Sequence, residues 1–162
     1  MIKIINVTKD ELQQCANILI NIYNNNSLSE GWTEKSALNI CEFYFKLQPD
    51  LFFVAKDSSQ CAGKVLGFTF SFIKPWADGN QLMAEELAVL GKFRKQGIAS
   101  KLLKALVKTA VEKYKITAVN GTTYNSETEM PFMWYKKIGF TKVKDLYLIE
   151  AEPNNVLDKI KN

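Results

Sequence analysis

At 162 residues, with 47% apolar and 23% charged side chains, the chain has the size and balance of a single folded domain spanning 1–162. Its net charge of +4 comes from lysines spread along the chain, which argues against a nucleic-acid partner, since that reading wants a concentrated basic stripe. There is no histidine, which excludes Ser-His and Cys-His nucleophile pairs and most zinc catalysis, so a general base must be a carboxylate, a phenolate, an amine or a water relay.

Residues 2–7 alternate and are β-branched, which predicts a first strand. Met1-Ile2-Lys3-Ile4-Ile5 is too short and too soon polar for a secretory leader, and no apolar run approaches the roughly 18 residues of a membrane span. A cytoplasmic protein without membrane contact is expected. Thr8-Lys9-Asp10-Glu11 reads as a capping box, after which Leu12, Cys15, Ala16, Leu19, Ile22 and Tyr23 recur at helical spacing. Asn24-Asn25-Asn26-Ser27 and Gly31 break that helix. Thr33 opens a second, with an apolar face of Ala37, Ile40, Cys41, Tyr44 and Leu47, and Pro49 closes it. Cys15 and Cys41 fall on these apolar faces and are expected in the core, whereas Cys61 falls in or near a turn. Three cysteines do not make a disulfide scaffold.

Leu51 to Ala55 reads as a strand, Asp57 to Cys61 as a turn and Lys64 to Ile73 as a longer strand. Asp78-Gly79 is a hairpin signal leading into a strand over 81–90, so these strands are expected to be antiparallel neighbours. A helix over 97–114 follows, with two apolar rows: Ile98, Leu102, Leu106 and Ala110, then Ala99, Leu103, Val107 and Val111. That width suits packing on a sheet. Ile116 to Gly121 is the next strand. Pro131 fits the first turn of a short helix running to Lys137, Gly139 caps it, and Phe140 starts a further strand. Lys144 to Glu150 reads as the last strand and the tail from Pro153 as loose. The result is an α/β (α+β) chain with a mixed, mostly antiparallel sheet of six or seven strands and helices on both faces.

The junction Arg94-Lys95-Gln96-Gly97-Ile98-Ala99 lies between the strand over 81–90 and the helix over 97–114. A helix start presents unpaired N–H groups and the positive end of the helix dipole. Gly97 allows close backbone approach, Ala99 keeps the first turn small, and Lys92, Arg94, Lys95 and Lys101 supply charge. Together these make a pyrophosphate cradle. No Gly-Lys-Ser or Gly-Lys-Thr of a Walker loop is present, nor the three glycines of a dinucleotide fingerprint.

Glu86-Leu87-Ala88-Val89-Leu90 followed by Phe93-Arg94-Lys95-Gln96-Gly97-Ile98-Ala99-Ser100-Lys101-Leu102-Leu103 resembles the acetyl-CoA-binding core of the GNAT acetyltransferase superfamily. Trp134-Tyr135-Lys136-Lys137-Ile138-Gly139-Phe140 resembles that family's "FYEKLGF" segment, and the order of elements also fits. The resemblance implies the GNAT fold, with a splayed V between the fourth and fifth strands that receives the pantetheine arm. It implies an N-acetyltransferase moving the acetyl group of acetyl-CoA to a primary amine, without a metal. Leu87, Ala88 and Val89 would pair with the pantetheine and polarise the thioester carbonyl, and Arg94 to Ser100 would hold the pyrophosphate.

Glu86 precedes the cofactor stretch on the same strand, as a glutamate does in many family members, so the resemblance implies it as general base; a raised pKa, which burial beside an apolar pocket can give a strand-end carboxylate, would suit that role. Glu85 is its neighbour, and strand alternation allows only one of the pair to face the site. Tyr135 is the implied general acid toward the leaving thiolate. Seven residues before it, where the family often has an asparagine that bonds the pantetheine, this chain has Thr128, whose hydroxyl would take that cofactor-binding role, with Asn125 and Ser126 upstream. Trp32, Glu30, Trp76, Asp78, Glu127 and Glu129 are the candidates for the acceptor pocket. Their carboxylates favour a cationic acceptor such as a polyamine, an aminoglycoside or a peptide amine. The stretch from Lys74 through Leu103 most resembles small-molecule and aminoglycoside-type members. A homodimer is left open, and the alternative reading is a non-catalytic acyl-CoA-binding or sensor module on the same fold.

Overall fold

A computed structural model describes residues 1–24, 30–59, 63–123, 131–144 and 150–159. The chain divides into two compact units, Met1–Thr122 and Thr123–Asn162. In the first unit, β1 (Ile2–Asn6), β2 (Phe53–Asp57), β3 (Lys64–Trp76), β4 (Gly79–Val89) and β5 (Ala118–Gly121) form one sheet in chain order. The first four strands pair antiparallel, and β5 pairs parallel to β4. A parallel pair needs a long crossover. Here it is α3 (Ile98–Tyr114).

The capping signals act as read. Thr8 donates from its N–H and its hydroxyl to Glu11 Oε2, each at 2.7 Å, over a 3-10 turn that leads into α1 (Leu12–Tyr23). Thr33 Oγ1 accepts the Ser36 N–H at 3.1 Å and starts α2 (Glu34–Leu47). Both helices lay their apolar stripes on one sheet face, and Cys15 and Cys41 are fully buried there with Phe52, Val54, Phe68, Phe70 and Ala88. Tyr44 stacks on Phe70 with ring centroids 4.2 Å apart. None of the buried row of α3 belongs to that cluster, and α3 packs on β2, β3 and β4 from the other face. That row is Ile98, Leu102, Leu106 and Ala110; the second row fades to an exposed Val111.

Several expectations need correction. The sheet has five strands among the described residues, not six or seven. A strand exists through its ladder, and Phe140–Val143 have no strand partner among the described residues. The strand expected over 144–150 falls largely on 145–149, outside the described residues, as does Cys61. β2 starts at Phe53, because Pro49–Leu51 close into a 3-10 turn. Leu47 is 50% exposed, at the frayed end of the α2 stripe.

In the second unit, α4 (Phe132–Lys137) ends as expected. Gly139 takes a left-handed φ of 99°, Phe140 N–H donates to Tyr135 O at 3.0 Å and Gly139 N–H to Lys136 O at 3.2 Å. These two bonds are a Schellman cap. The tail from Pro153 is not loose but forms α5 (Pro153–Lys159). Proline at a first helical position loses no hydrogen bond, and Val156 N–H reaches back to Glu152 O at 3.2 Å.

Candidate active site

The site begins at a fault in the β3–β4 ladder. Phe70 pairs with Glu86 and Ser71 with Ala84, so Glu85 is an extra residue on β4. Such a bulge bends and twists its strand. Pairing of β4 with β5 stops just before it, at Ala84–Gly121. Beyond the bulge the β4 backbone alternates. Glu86 O accepts the Thr69 hydroxyl at 2.6 Å and Leu90 N–H donates to Leu66 O at 3.0 Å, both toward β3. Leu87 and Val89 therefore turn their N–H and C=O groups to the opposite edge. Among the described residues that edge has no strand partner, and it lies where the V was expected. Ala88 turns its N–H to β3 and is only 3% exposed.

Glu86 is held from two sides. The Tyr23 hydroxyl, at the end of α1, lies 2.9 Å from Oε1 and 3.0 Å from Oε2, and Leu87 N–H donates to Oε1 at 3.0 Å. The residue is partly buried as a whole, but its carboxyl is the enclosed end. Burial pushes that carboxyl up to about 7. The donors Tyr23 and Leu87 pull the other way, and repulsion from Glu30 and Glu85 adds to the rise. The bulge also overrides the alternation argument. Exposed Glu85 lies near enough to the Tyr44 hydroxyl of α2 to act on it electrostatically, so both carboxylates neighbour tyrosines of the helix layer. Burial, then Glu85, raises the Tyr44 phenol to about 12.

Glu30 and Trp32 lie close by. Glu30 N–H donates to Tyr23 O at 3.4 Å, and Trp32 Nε1 donates to Glu30 Oε2 at 2.8 Å. The Asn24 side chain clamps Trp32 by its N–H at 2.8 Å and its carbonyl at 2.7 Å. A cleft of about 400 Å³ lined by Asn17, Ile20, Asn21, Trp32 and Glu34 shares Trp32 with this corner but does not reach Glu86. Trp76 and Asp78 sit apart at the β3–β4 hairpin tip; eight strand residues put Asp78 roughly 25 Å from Glu86. Thr128, Asn125, Ser126, Glu127 and Glu129 lie outside the described residues. Tyr23 and Tyr44 were legible only as stripe residues. The available signal was a hydroxyl at the edge of an apolar face.

β4 runs on through a 3-10 turn, Gly91–Phe93, into the cradle. Lys95 and Gly97 both take left-handed φ, 61° and 76°. The first bond of α3 runs from Lys101 N–H to Gly97 O at 3.1 Å, so the N–H groups of Ile98, Ala99 and Ser100 have no helix acceptor. A Cβ on Gly97 would meet nothing within 4 Å. The concavity is open, with Arg94, Lys95, Gln96, Gly97 and Ser100 exposed and Ile98 anchored beneath at 1% exposure. Arg94 Nε donates to Val89 O at 3.2 Å and Gln96 Nε2 to Lys92 O at 3.3 Å, tying the loop to the strand end. Unpaired donors, a left-handed glycine and surrounding cations suit a pyrophosphate.

Tyr135 belongs to the second unit, on α4, with its ring 5.0 Å from Trp134 and 5.3 Å from Phe140. Among the described residues no set of three His, Cys, Asp or Glu side chains gathers as metal ligands, and no helix is long and apolar enough to cross a membrane.

An acetyltransferase (GNAT) domain profile matches residues 48–142. No curated protein matches the sequence. Among solved structures, the aminoglycoside N-acetyltransferase AAC(6')-Iy in complex with CoA is similar with a TM-score of 0.73 and 19% identity, over 93% of this chain and 95% of that one. An integron cassette protein from the mobile metagenome of V. cholerae gives 0.71 and 20%, over 98% of each chain. A protein of Pyrococcus horikoshii gives 0.70 and 26%, over 91% of this chain and 93% of that one. With the domain profile matched over more than half of its length and this fold built around it, the chain belongs to the acetyltransferase (GNAT) family.

Proposed function

We propose that the protein is an acetyl-CoA-dependent N-acetyltransferase acting by direct attack of a primary amine in a ternary complex. One observation carries the reading: the edge of β4 beyond Glu86, without a strand partner among the described residues, runs straight into an open cradle of helix N–H groups. The cradle from Arg94 to Ser100 holds the pyrophosphate, with Lys92 and Lys101 adding charge. The Leu87–Val89 edge pairs with the pantetheine. Leu87 N–H is engaged by Glu86, which among the described residues leaves Val89 N–H as the edge donor to polarise a thioester carbonyl. Glu86 takes a proton from the acceptor's ammonium, directly or through a water, and so frees the nitrogen lone pair that forms the C–N bond. Tyr135 gives a proton to the sulfur as the C–S bond breaks, and the second proton that the nitrogen loses on becoming an amide replaces it.

Glu30, Glu85 and Glu86, with the rings of Tyr23, Trp32 and Tyr44, favour a cationic amine. AAC(6')-Iy, with the same fold, has been solved with a bisubstrate analogue, CoA-S-monomethyl-acetylneamine. The small-molecule branch of the family is therefore the first place to seek the acceptor.

Acetyl-CoA at 100 times its Kd should add about 2.7 kcal/mol of stability. For a chain of this size that is a rise in Tm of about 5–10 °C. A panel of polyamines, aminoglycosides and peptide amines, read by thiol release, then identifies the acceptor. No thermal response to millimolar acetyl-CoA or CoA would sink the proposal. Binding without turnover on any amine would assign the chain as an acyl-CoA-binding module.

Tyr135→Phe keeps the ring and its contacts, so acetyl-CoA affinity should hold. Thiols ionise near pH 8.5, and a leaving thiolate asks less of an acid than an alkoxide would. The expected fall in kcat is therefore about a hundredfold, at the low end for a proton-transfer group. Steady-state kinetics beside calorimetric binding checks this, and an unchanged kcat assigns the acid elsewhere.

A further inference from the structure

We propose that Tyr23 is the positioning residue of Glu86: its hydroxyl, at the end of α1, fixes the carboxylate against β4 and remains its partner before and after proton transfer. This rests on the reading of Glu86 as general base. The contact joins residues 63 positions apart, and among the described residues it is the side-chain hydrogen bond on that carboxylate. Among the described residues, Oε1 lies within reach of two donors, Tyr23 at 2.9 Å and Leu87 N–H at 3.0 Å, whereas Oε2 faces Tyr23 alone, at 3.0 Å. Oε2 therefore keeps the lone pair that can take a proton from the ammonium. When it does, the Tyr23 hydroxyl turns and its oxygen accepts from the new Oε2–H. Tyr23 neither gains nor loses a proton, Leu87 N–H stays on Oε1, and the amine nitrogen keeps the electron pair that forms the C–N bond.

The other groups around this carboxylate do not help it ionise. Glu30, from the α1–α2 connection, and Glu85, on β4 itself, both repel it. From α2, the Cys41 thiol is pushed up to about 12 by its own burial and then by the Glu86 charge, and the Tyr44 phenol is pushed up to about 12 by burial and then by the Glu85 charge. Among the described residues, one side-chain donor thus opposes burial and two like charges. A tyrosine serving only as packing would leave the titration of Glu86 untouched when its hydroxyl was removed.

The test is a carbon-13 NMR titration of the side-chain carboxyls, with Glu86→Gln identifying the Glu86 signal. Tyr23→Phe should raise the Glu86 midpoint by about one pH unit, since a lost donor to the charged form favours the neutral one. A 3,5-difluorotyrosine at position 23 is a stronger donor and should lower it. In turnover, the acidic limb of kcat/KM should move the same way with acetyl-CoA affinity unchanged. Tyr23→Phe placed on Glu86→Gln should add no further loss. Midpoints that stay put in both variants overturn the proposal, as does an equal rate loss in the Glu86→Gln background. The titration needs no acceptor. Shifted midpoints in a protein that acetylates no amine would count against the base reading and leave the Tyr23–Glu86 pairing upheld.

Discussion

Glu86→Gln should slow acyl transfer by about 10²–10⁴-fold near pH 8, and the deficit should shrink toward both ends of the pH range. The wild-type carboxyl titrates at about 7, raised chiefly by burial. Because the neutral form is the one favoured, a usable base appears only as pH climbs through that value. Below about pH 6 wild type and variant should converge, since a protonated carboxyl removes a proton no better than an amide. Above the pKa of a primary alkylamine, about 10 on the lysine scale, the acceptor is already neutral and the two should converge again. The largest ratio is therefore expected from about pH 7.5 to 9. Glutamine preserves the shape, and its oxygen can still accept from Tyr23, so cofactor binding and fold should be intact. A ratio near one from pH 6 to 9 would move the base to Glu85 or to a water chain.

The sequence made the backbone of this site legible better than its side-chain contacts. Thr33, the hairpin signal Asp78-Gly79, the row Ile98, Leu102, Leu106 and Ala110, and the Gly139 cap are local rules, each written in a few neighbouring residues. The cradle was legible for the same reason, because a strand end, Gly97 and a helix start are contiguous. The bulge at Glu85 was not. It is a mismatch between two strands, and neither carries a residue that demands it. From it follow the failure of alternation at Glu85 and Glu86 and the open edge at Leu87 and Val89. Tyr23 escaped because helical spacing reports burial of a ring and says nothing about where its hydroxyl ends. The Tyr23–Glu86 contact spans 63 residues and exists only once α1 is laid across β4. At the other end of the chain, α5 was missed because seven residues with one proline carry too little periodicity to separate a helix from a tail.

Gly97→Asp should abolish measurable CoA binding while leaving a folded protein. The two effects separate because Gly97 is constrained by its backbone and not by its neighbours. At φ 76° any side chain incurs left-handed strain, yet a Cβ would meet no atom within 4 Å. Aspartate is among the residues that tolerate this region best, so the stability loss should be about 1–2 kcal/mol, a fall in Tm of about 3–8 °C. The new carboxylate would stand where the Ile98, Ala99 and Ser100 N–H groups converge. It would cap them itself, as N-cap aspartates do, and repel the pyrophosphate. Like charges brought together cost several kcal/mol, so an affinity loss of about a thousandfold is expected by calorimetry. Gly97→Ala separates the causes: it carries the same backbone strain without the charge and should lose about tenfold or less. If Gly97→Asp unfolds no more readily than expected and still binds CoA as wild type does, the anion sits elsewhere on the molecule, and Arg94 and Lys95 lose their assigned role with it.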